Sequence, residues 1–426
     1  MTPELLVLLG GRRAGAVHQN PNGLLSFDYA ADYADDPAAT PLSLSMPLTA
    51  LHHEARRVRP YLAGLLPDNP DVLRRWGREF GASPENPFAL LAHVGLDVAG
   101  AIQLVPPDRL DDARAPGRVT PVDDDYIEDR LRTLRQDRSA WEPEGRSGRF
   151  SLAGAQAKFA LHRDGTGAWG LPDGRAATTH ILKPAMPGYE DQDLVEHICL
   201  DAAGRMGLLA ARTWVGRFGE ERAFVAERYD RVTTADSTRR IHQEDLCQAL
   251  AVHPDRKYED EGGPGVTRVI ALLREAIPPA PAREAVARFV AALALNWVVL
   301  GPDAHAKNYS LLLDGPDVRL APLYDVTSVL PYADRHRAGR VELAMAVGGQ
   351  RRASLVTARH WRELARKNQL DTDEVFAIAT RVATAAPAAF TAAAAALPTD
   401  QSDSTVLQQL LDGLAERSEH CVRLLS

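Results

Sequence analysis

Residues 303–308 read Asp-Ala-His-Ala-Lys-Asn, and a second aspartate, Asp325, follows beyond a hairpin pattern. An aspartate, an asparagine a short loop later and a further aspartate past a hairpin are the polar set used for phosphoryl transfer. In that chemistry Asp303 orients the attacking hydroxyl. Asn308 and Asp325 hold magnesium, which takes hard oxygen ligands and keeps several waters. His305 reads as a metal ligand or base, or more simply as a loop histidine that packs and hydrogen-bonds backbone, and Lys307 as a point charge near a transferred phosphate. Taken alone, the same residues also suit turn caps and a solvated loop, because Asp and Asn are common in turns.

Three other segments carry chemistry-bearing residues. Residues 151–158, Ser-Leu-Ala-Gly-Ala-Gln-Ala-Lys, combine small side chains with a lysine. Small residues at Ala153, Gly154 and Ala155 let a backbone approach a ligand, and successive N–H groups can cradle an anion. The segment matches neither standard glycine-rich phosphate motif, so a tight turn into a strand is the competing reading. Lys158 has two readings, a phosphate contact or a water-facing side chain. Lys183 ends an apolar strand before Pro184. In a kinase-type lobe such a lysine pairs with the α- and β-phosphates, and Glu196 on the next helix is its candidate partner. Finally, Glu227-Arg228-Tyr229-Asp230-Arg231 follows a strand and precedes a mostly helical half. It reads as a hinge whose backbone meets adenine and whose Asp230 meets a ribose hydroxyl, or else as an ordinary crossover.

The elements that must position these groups follow from pattern. Leu5–Leu9, Ala14–Val17 and Gly23–Tyr29 read as short strands separated by glycine turns, and 61–94 as helical. Residues 106–148 are rich in Pro, Asp and Arg with one helix at Tyr126–Leu134, the composition of a linker. Strands are expected at 158–162, 168–171, 178–183, 214–218 and 223–229, with a helix over 190–206. Helices are expected over 243–252, 266–277, 282–300, 357–369, 372–397 and 404–424. A hairpin, 309–313 with 318–323 around Asp-Gly-Pro-Asp, folds Asn308 back toward Asp325 and leaves Asp303 one short loop away.

Composition bounds the rest. The 426 residues are 45% hydrophobic and 25% charged with a net charge of −8, the mix of a soluble globular protein with an acidic surface. That balance argues against a broad nucleic-acid or anionic-membrane surface. Three separated cysteines and no CxxC pair argue against a zinc or disulfide scaffold. The N-terminus lacks a basic leader, and the best span candidate, 285–300, is interrupted by Arg288 and Asn296. A cytoplasmic location without membrane contact is therefore expected.

Taken together the segments resemble the HipA family of toxin kinases. The resemblance rests on Ser151–Gln156 with Lys158, Thr179-His180-Ile181-Leu182-Lys183, Glu227–Arg231, His242–Gln248, Asp303–Asn308 and Leu323-Tyr324-Asp325, in this order. Leu65-Leu66-Pro67-Asp68 also looks like part of the family's N-terminal barrel. The resemblance implies an α+β, bilobal protein-kinase-like fold. Its parts would be a small N-terminal β-barrel-like module (1–105), a connector (106–144), a β-rich ATP lobe (145–235) and a helical C-terminal lobe (236–426), with ATP and magnesium in the cleft between lobes. It further implies a serine/threonine protein kinase with Asp303 catalytic and Lys307 assisting, and with Asn308 and Asp325 as metal ligands. ATP would be held by Ala153, Gly154, Ala155, Gln156, Lys158, Lys183, Glu227, Tyr229, Asp230 and His305. Ser151 matches the family's inhibitory autophosphorylation site. The implied substrate class is an aminoacyl-tRNA synthetase. The implied partner is a helix-turn-helix antitoxin through which DNA is reached indirectly. Ala157 stands where relatives often carry an acidic residue, and Gly301-Pro302 where a threonine is common. Two other functions fit the same residues: a scaffold that bridges antitoxin subunits on operator DNA with little catalysis, and a small-molecule kinase. ATP turnover separates the first from a kinase.

Overall fold

The computed structural model of the chain describes residues 3–141, 150–234, 238–332 and 338–426. The expected boundaries at 144/145 and 235/236 lie outside the described residues. Cα proximity divides the chain into two units. One comprises Met1–Pro184, Gly216–Asp255 and Ser310–Val318; the other comprises Ala185–Val215, Arg256–Tyr309 and Arg319–Ser426. The chain has the α+β composition expected of it.

The first unit opens with β1 (Glu4–Leu9), β2 (Arg12–Gln19), β3 (Leu25–Tyr29), β4 (His52–Glu54) and β5 (Ile102–Val105), in the sheet order β4-β3-β2-β1-β5. β1 is apolar at consecutive positions because it is central and covered on both faces. Leu6 and Leu8 pack with Ala16, Val105 and Ala113, with Leu96 and Leu110 beside them, and Leu5 and Val7 are also buried. Helices α1 (Ala55–Gly64), α2 (Pro70–Phe80) and α3 (Pro87–Val94) connect β4 to β5; α1 lies against β3 and β4, and α3 against β5. The resemblance implied a barrel-like module. Among the described residues the end strands β4 and β5 each pair with one neighbour only, so the sheet is open. Both are short, which gives few ladder bonds with which to close a ring.

Residues 106–141 of the stretch that reads as a connector are part of the fold. Leu110 and Ala113 cover the first sheet, and β6 (Arg118–Pro121) pairs antiparallel with β8 (Trp169–Asp173). Gly170 permits that pairing, since a Cβ there would fall 2.3 Å from the Val119 side chain. β6 is an edge strand with mostly exposed side chains, so its composition resembles a linker. Helix α4 (Asp124–Gln136) follows, capped by the Asp123 carboxylate on Tyr126 N at 3.0 Å. The second sheet continues through β7 (Phe159–Arg163), β8 and β9 (His180–Pro184). The Gly216–Phe218 part of β10 (Thr213–Phe218) and β11 (Glu221–Glu227) complete it. The sheet order is β10-β11-β9-β7-β8-β6. β12 (His242–Asp245) lies within the region expected to be helical from 243. It instead pairs antiparallel with β13 (Ser310–Asp314). Asp245 then starts a short helix, Leu246–Ala249, through a reciprocal cap with Gln248.

The second unit is largely helical: α5 (Gln192–Arg205), α6 (Val266–Ala276), α7 (Pro279–Val298), α8 (Ala358–Lys367), α9 (Thr372–Ala395) and α10 (Thr405–Leu425). α9 is the described helix long and apolar enough to cross a membrane by length and composition; the sequence's best span candidate, 285–300, reads as a core helix because Arg288 and Asn296 interrupt it. Here α9 packs against α5, α7 and α10, burying Ile378, Val382, Ala386 and Phe390. α7 is equally internal, with Phe289–Val298 buried throughout.

Candidate active site

The second unit carries Asp303, His305, Lys307, Asn308 and Asp325. At the end of α7 the chain turns sharply: Leu300 takes φ 50°, and Gly301 N donates to Asn296 O at 2.8 Å. Gly301 fits only because it has no side chain. A Cβ would lie 2.6 Å from Asn296 Oδ1 and 3.0 Å from Thr327 O. The loop then closes on itself. His305 N donates to Asp303 O at 2.8 Å and Asn308 N to His305 O at 2.9 Å, while Asn308 Nδ2 donates to Asp303 O at 2.7 Å. That last bond orients the Asn308 amide so that Oδ1 is its remaining acceptor, the hard oxygen a magnesium ion requires.

The segment bearing Asp325 is tied to this loop by its neighbour. Tyr324 Oη donates to Lys307 O at 2.6 Å, and Leu323 is held on both sides by backbone bonds of 2.8 Å to Leu209 and Ala211. Asp325 is half-buried and has φ 56°, a left-handed conformation that costs a non-glycine residue energy and recurs at functional sites. Asp303 keeps 54% of its side chain exposed, while His305 beside it is buried, with Nε2 at 3.9 Å from Asp303 Oδ1. Lys307 is buried as well. Among the described residues no group of three or more His, Cys, Asp or Glu could hold a metal ion. Asn308 Oδ1 and the Asp325 carboxylate are hard oxygen donors of the kind magnesium takes when it also binds substrate phosphates.

Sequence reading passed over Tyr258. Its hydroxyl donates to Asp303 Oδ1, and its ring meets His305 edge-on with centroids 4.9 Å apart. It lies in the segment before α6, far from the motif in sequence, where an aromatic among acidic residues gives no local signal.

The first unit carries the 151–158 segment and Lys183. Ser151 is fully buried; its Oγ donates to Leu65 O at 2.7 Å and its N to Asp97 O at 3.1 Å. Gly154, at φ 102°, forms a bridge with Pro67, and Ala155 is exposed at the apex. Lys158 does not face water, one of its two sequence expectations. It is buried and folds back, Nζ donating to Ala153 O at 2.7 Å and sitting 5.6 Å above the Trp141 ring. In this state it shapes the loop. Gln156 Nε2 donates to Pro184 O at 3.2 Å, which brings the loop to the end of β9 where Lys183 stands. Lys183 is buried with Nζ 5.2 Å over the Phe224 ring. Glu196, its suggested partner, is buried on α5 in the second unit, where Gln192 Nε2 donates to it at 3.4 Å.

Residues 227–231 depart most from expectation. The chain stays within the first unit until Asp255, so this segment is not where it crosses between units. Asp230 is buried, and both its oxygens are engaged. Arg228 Nε donates to Oδ1 at 3.0 Å, and Gly100 N to Oδ2 at 2.7 Å. Arg228 Nη2 and Arg231 Nη1 each lie 2.9 Å from Oδ2. Burial alone would raise its pKa, but Arg228 and Arg231 reverse this and hold it at about 2. Asp97 completes the network, accepting from Arg231 Nη2 at 2.9 Å and from Thr178 N and Oγ1 at 2.8 Å. This is a structural anchor, and the expected ribose contact is corrected accordingly: an acceptor already saturated by two buried guanidinium groups has little to offer a hydroxyl. Tyr229 Oη donates to Gln243 Oε1, and Glu227 is half-buried at the end of β11 opposite His180.

Residues 5–105 match the HipA N-terminal domain and 150–390 the HipA-like C-terminal domain. A putative kinase of Sinorhizobium fredii, Y4mE, is 37% identical over 372 residues, 86% of each chain. The serine/threonine-protein kinase toxin HipA of Shewanella oneidensis is 30% identical over 347 residues, 76% of each chain. Among solved structures, a chain from the Shewanella oneidensis complex of HipA, HipB and operator DNA superposes with a TM-score of 0.83 at 26% identity, covering 97% of this chain and 96% of that one. With both family domains matched in order and a kinase toxin of the family 30% identical over 76% of the chain, the chain belongs to the HipA family of serine/threonine-protein kinase toxins.

Proposed function

We propose that this chain is an ATP- and magnesium-dependent kinase that phosphorylates a serine or threonine of a protein substrate, an aminoacyl-tRNA synthetase by family resemblance, in the cytoplasm. The observation that carries the reading is the closed loop in which Asn308 Nδ2 holds Asp303 O and Tyr324 Oη holds Lys307 O. Those two bonds tie Asn308 to the Asp303 backbone and the residue before Asp325 to the same loop, which supports the reading. The acceptor hydroxyl oxygen forms a bond to the γ-phosphorus, the bond from that phosphorus to the β–γ bridging oxygen breaks, ADP leaves, and the hydroxyl proton passes to Asp303. Magnesium, held by Asn308 and Asp325, would neutralise charge on the phosphate oxygens. Lys183 and the 151–158 backbone would take phosphates, and Lys307 would offset charge near the transferred group.

Inhibitory modification at Ser151 follows the same resemblance. A phosphate there cannot occupy the fully buried position facing Leu65 O, so the loop must leave its present place. A helix-turn-helix antitoxin is the proposed partner, with DNA reached through it; the related Shewanella oneidensis structure contains HipB and operator DNA. The test is Asp303→Asn, which removes the proton acceptor and keeps the shape. It should reduce phosphate transfer from labelled ATP by at least about 1,000-fold and abolish growth toxicity. An Asp303→Asn protein with wild-type turnover would sink the assignment.

A further inference from the structure

Beside Asp303 stands a side chain whose placement is more constrained than a surface tyrosine needs. Tyr258 Oη donates to Asp303 Oδ1, and His305 Nε2 approaches the same oxygen at 3.9 Å. The tyrosine ring in turn stands edge-on to the His305 ring at 4.9 Å, with Lys257 Nζ 5.7 Å from its centroid. The backbone under Tyr258 is fixed on both sides. Ala306 N donates to Lys257 O at 3.3 Å, and Glu261 N and Gly263 N donate to Tyr258 O at 3.2 and 2.8 Å. The turn depends on Gly263, where a Cβ would fall 2.2 Å from Arg256 O.

Resting on the kinase reading above, we propose that Tyr258 is a positioning residue for Asp303. A carboxylate on an otherwise exposed side chain rotates about its last torsion, and a proton acceptor must be aimed to within a fraction of an ångström. The Tyr258 hydrogen bond, with the His305 ring packed against the tyrosine, fixes that torsion and aims the carboxylate for the acceptor hydroxyl. The hydroxyl of Tyr258 touches neither nucleotide nor acceptor in this role; it acts through Asp303. Because the ring is locked by His305 and the turn, its orientation is set before substrate arrives.

The experiment uses the full chain with labelled ATP, with casein and the chain itself as acceptors, and compares wild type, Tyr258→Phe, Tyr258→His, Tyr258→Leu and Asp303→Asn. Loss of a hydrogen bond to a charged group should lower kcat about 10- to 100-fold. The KM for ATP should stay within about twofold, because the nucleotide is not touched. Tyr258→His keeps a ring and an N–H donor and should recover part of the lost kcat, whereas Tyr258→Leu should not. A purely structural role predicts loss in proportion to lost thermal stability, with no separation of His from Leu. Wild-type kcat in Tyr258→Phe, or equal kcat in the His and Leu variants, overturns the proposal while Asp303→Asn remains inactive and the kinase reading stands. Phosphate found on Tyr258 by mass spectrometry also overturns it, making the residue an acceptor. No transfer by wild type to either acceptor removes the kinase reading and this inference together.

Discussion

Asp230→Ala separates a structural anchor from a nucleotide contact. The substitution removes the carboxylate that compensates Arg228 and Arg231, whose side chains are 3% and 1% exposed, and strands Gly100 N, which now donates at 2.7 Å. Asp97 remains near both arginines, at 3.9 Å from Arg228 and 2.9 Å from Arg231, so part of the charge is still met. Removing one partner from a buried ionic network costs about 3–5 kcal/mol. In a unit of roughly 230 residues, each kcal/mol lowers Tm by about 2–4 °C, giving a fall of about 6–20 °C. The pH dependence has a definite sign. Asp230 is depressed from 3.8 to about 2, so its contribution, about 2 kcal/mol, is present above pH 3.8 and lost as pH falls through about 2. Scanning fluorimetry and urea midpoints on wild type and variant, with ATP affinity measured in parallel, supply the test. A variant that melts with wild type but binds ATP at least tenfold more weakly would refute the anchor and restore the ribose contact.

Glu244 titrates in the opposite sense. Burial pushes its carboxyl up to about 8 from 4.5, with Leu44 N donating at 2.8 Å and Ser43 Oγ 2.5 Å away. Its contribution is therefore complete below pH 4.5 and fades as pH rises through about 8, by at most about 1.4 kcal/mol per unit. Glu244→Gln should flatten urea midpoints between pH 5 and 8, and parallel profiles for the two proteins would contradict this. Ser151→Ala removes one buried hydrogen bond and should cost about 1 kcal/mol with ATP affinity nearly unchanged. Ser151→Asp places a charge against Leu65 O and should weaken ATP binding at least tenfold, measured by calorimetry; equal affinities in the two variants would mean the loop tolerates charge where it lies.

The sequence alone determined the family and most of the local elements. Asp303 and Asn308 lie within one loop and Asp325 follows one hairpin later, so turn residues and strand periodicity were enough to expect that loop and that hairpin. The early strands and the helices of the second unit were equally legible, since hydrophobic period is a local property. Tertiary structure decided what needed distant partners. Tyr258 reaches Asp303 across 45 positions, Ser151 reaches Leu65 across 86, and Arg231 reaches Asp97 across 134. No pattern within a window of ten or twenty residues contains such pairs. The polar stretch before residue 142 concealed β6 for the same reason: an edge strand is specified by the neighbour that receives it, and that neighbour, β8, lies beyond the reach of local composition. Asp230 carries the same lesson in charge: its position beside two arginines was visible in the chain, but whether it met them or a ligand depended on burial, which only the packed fold sets.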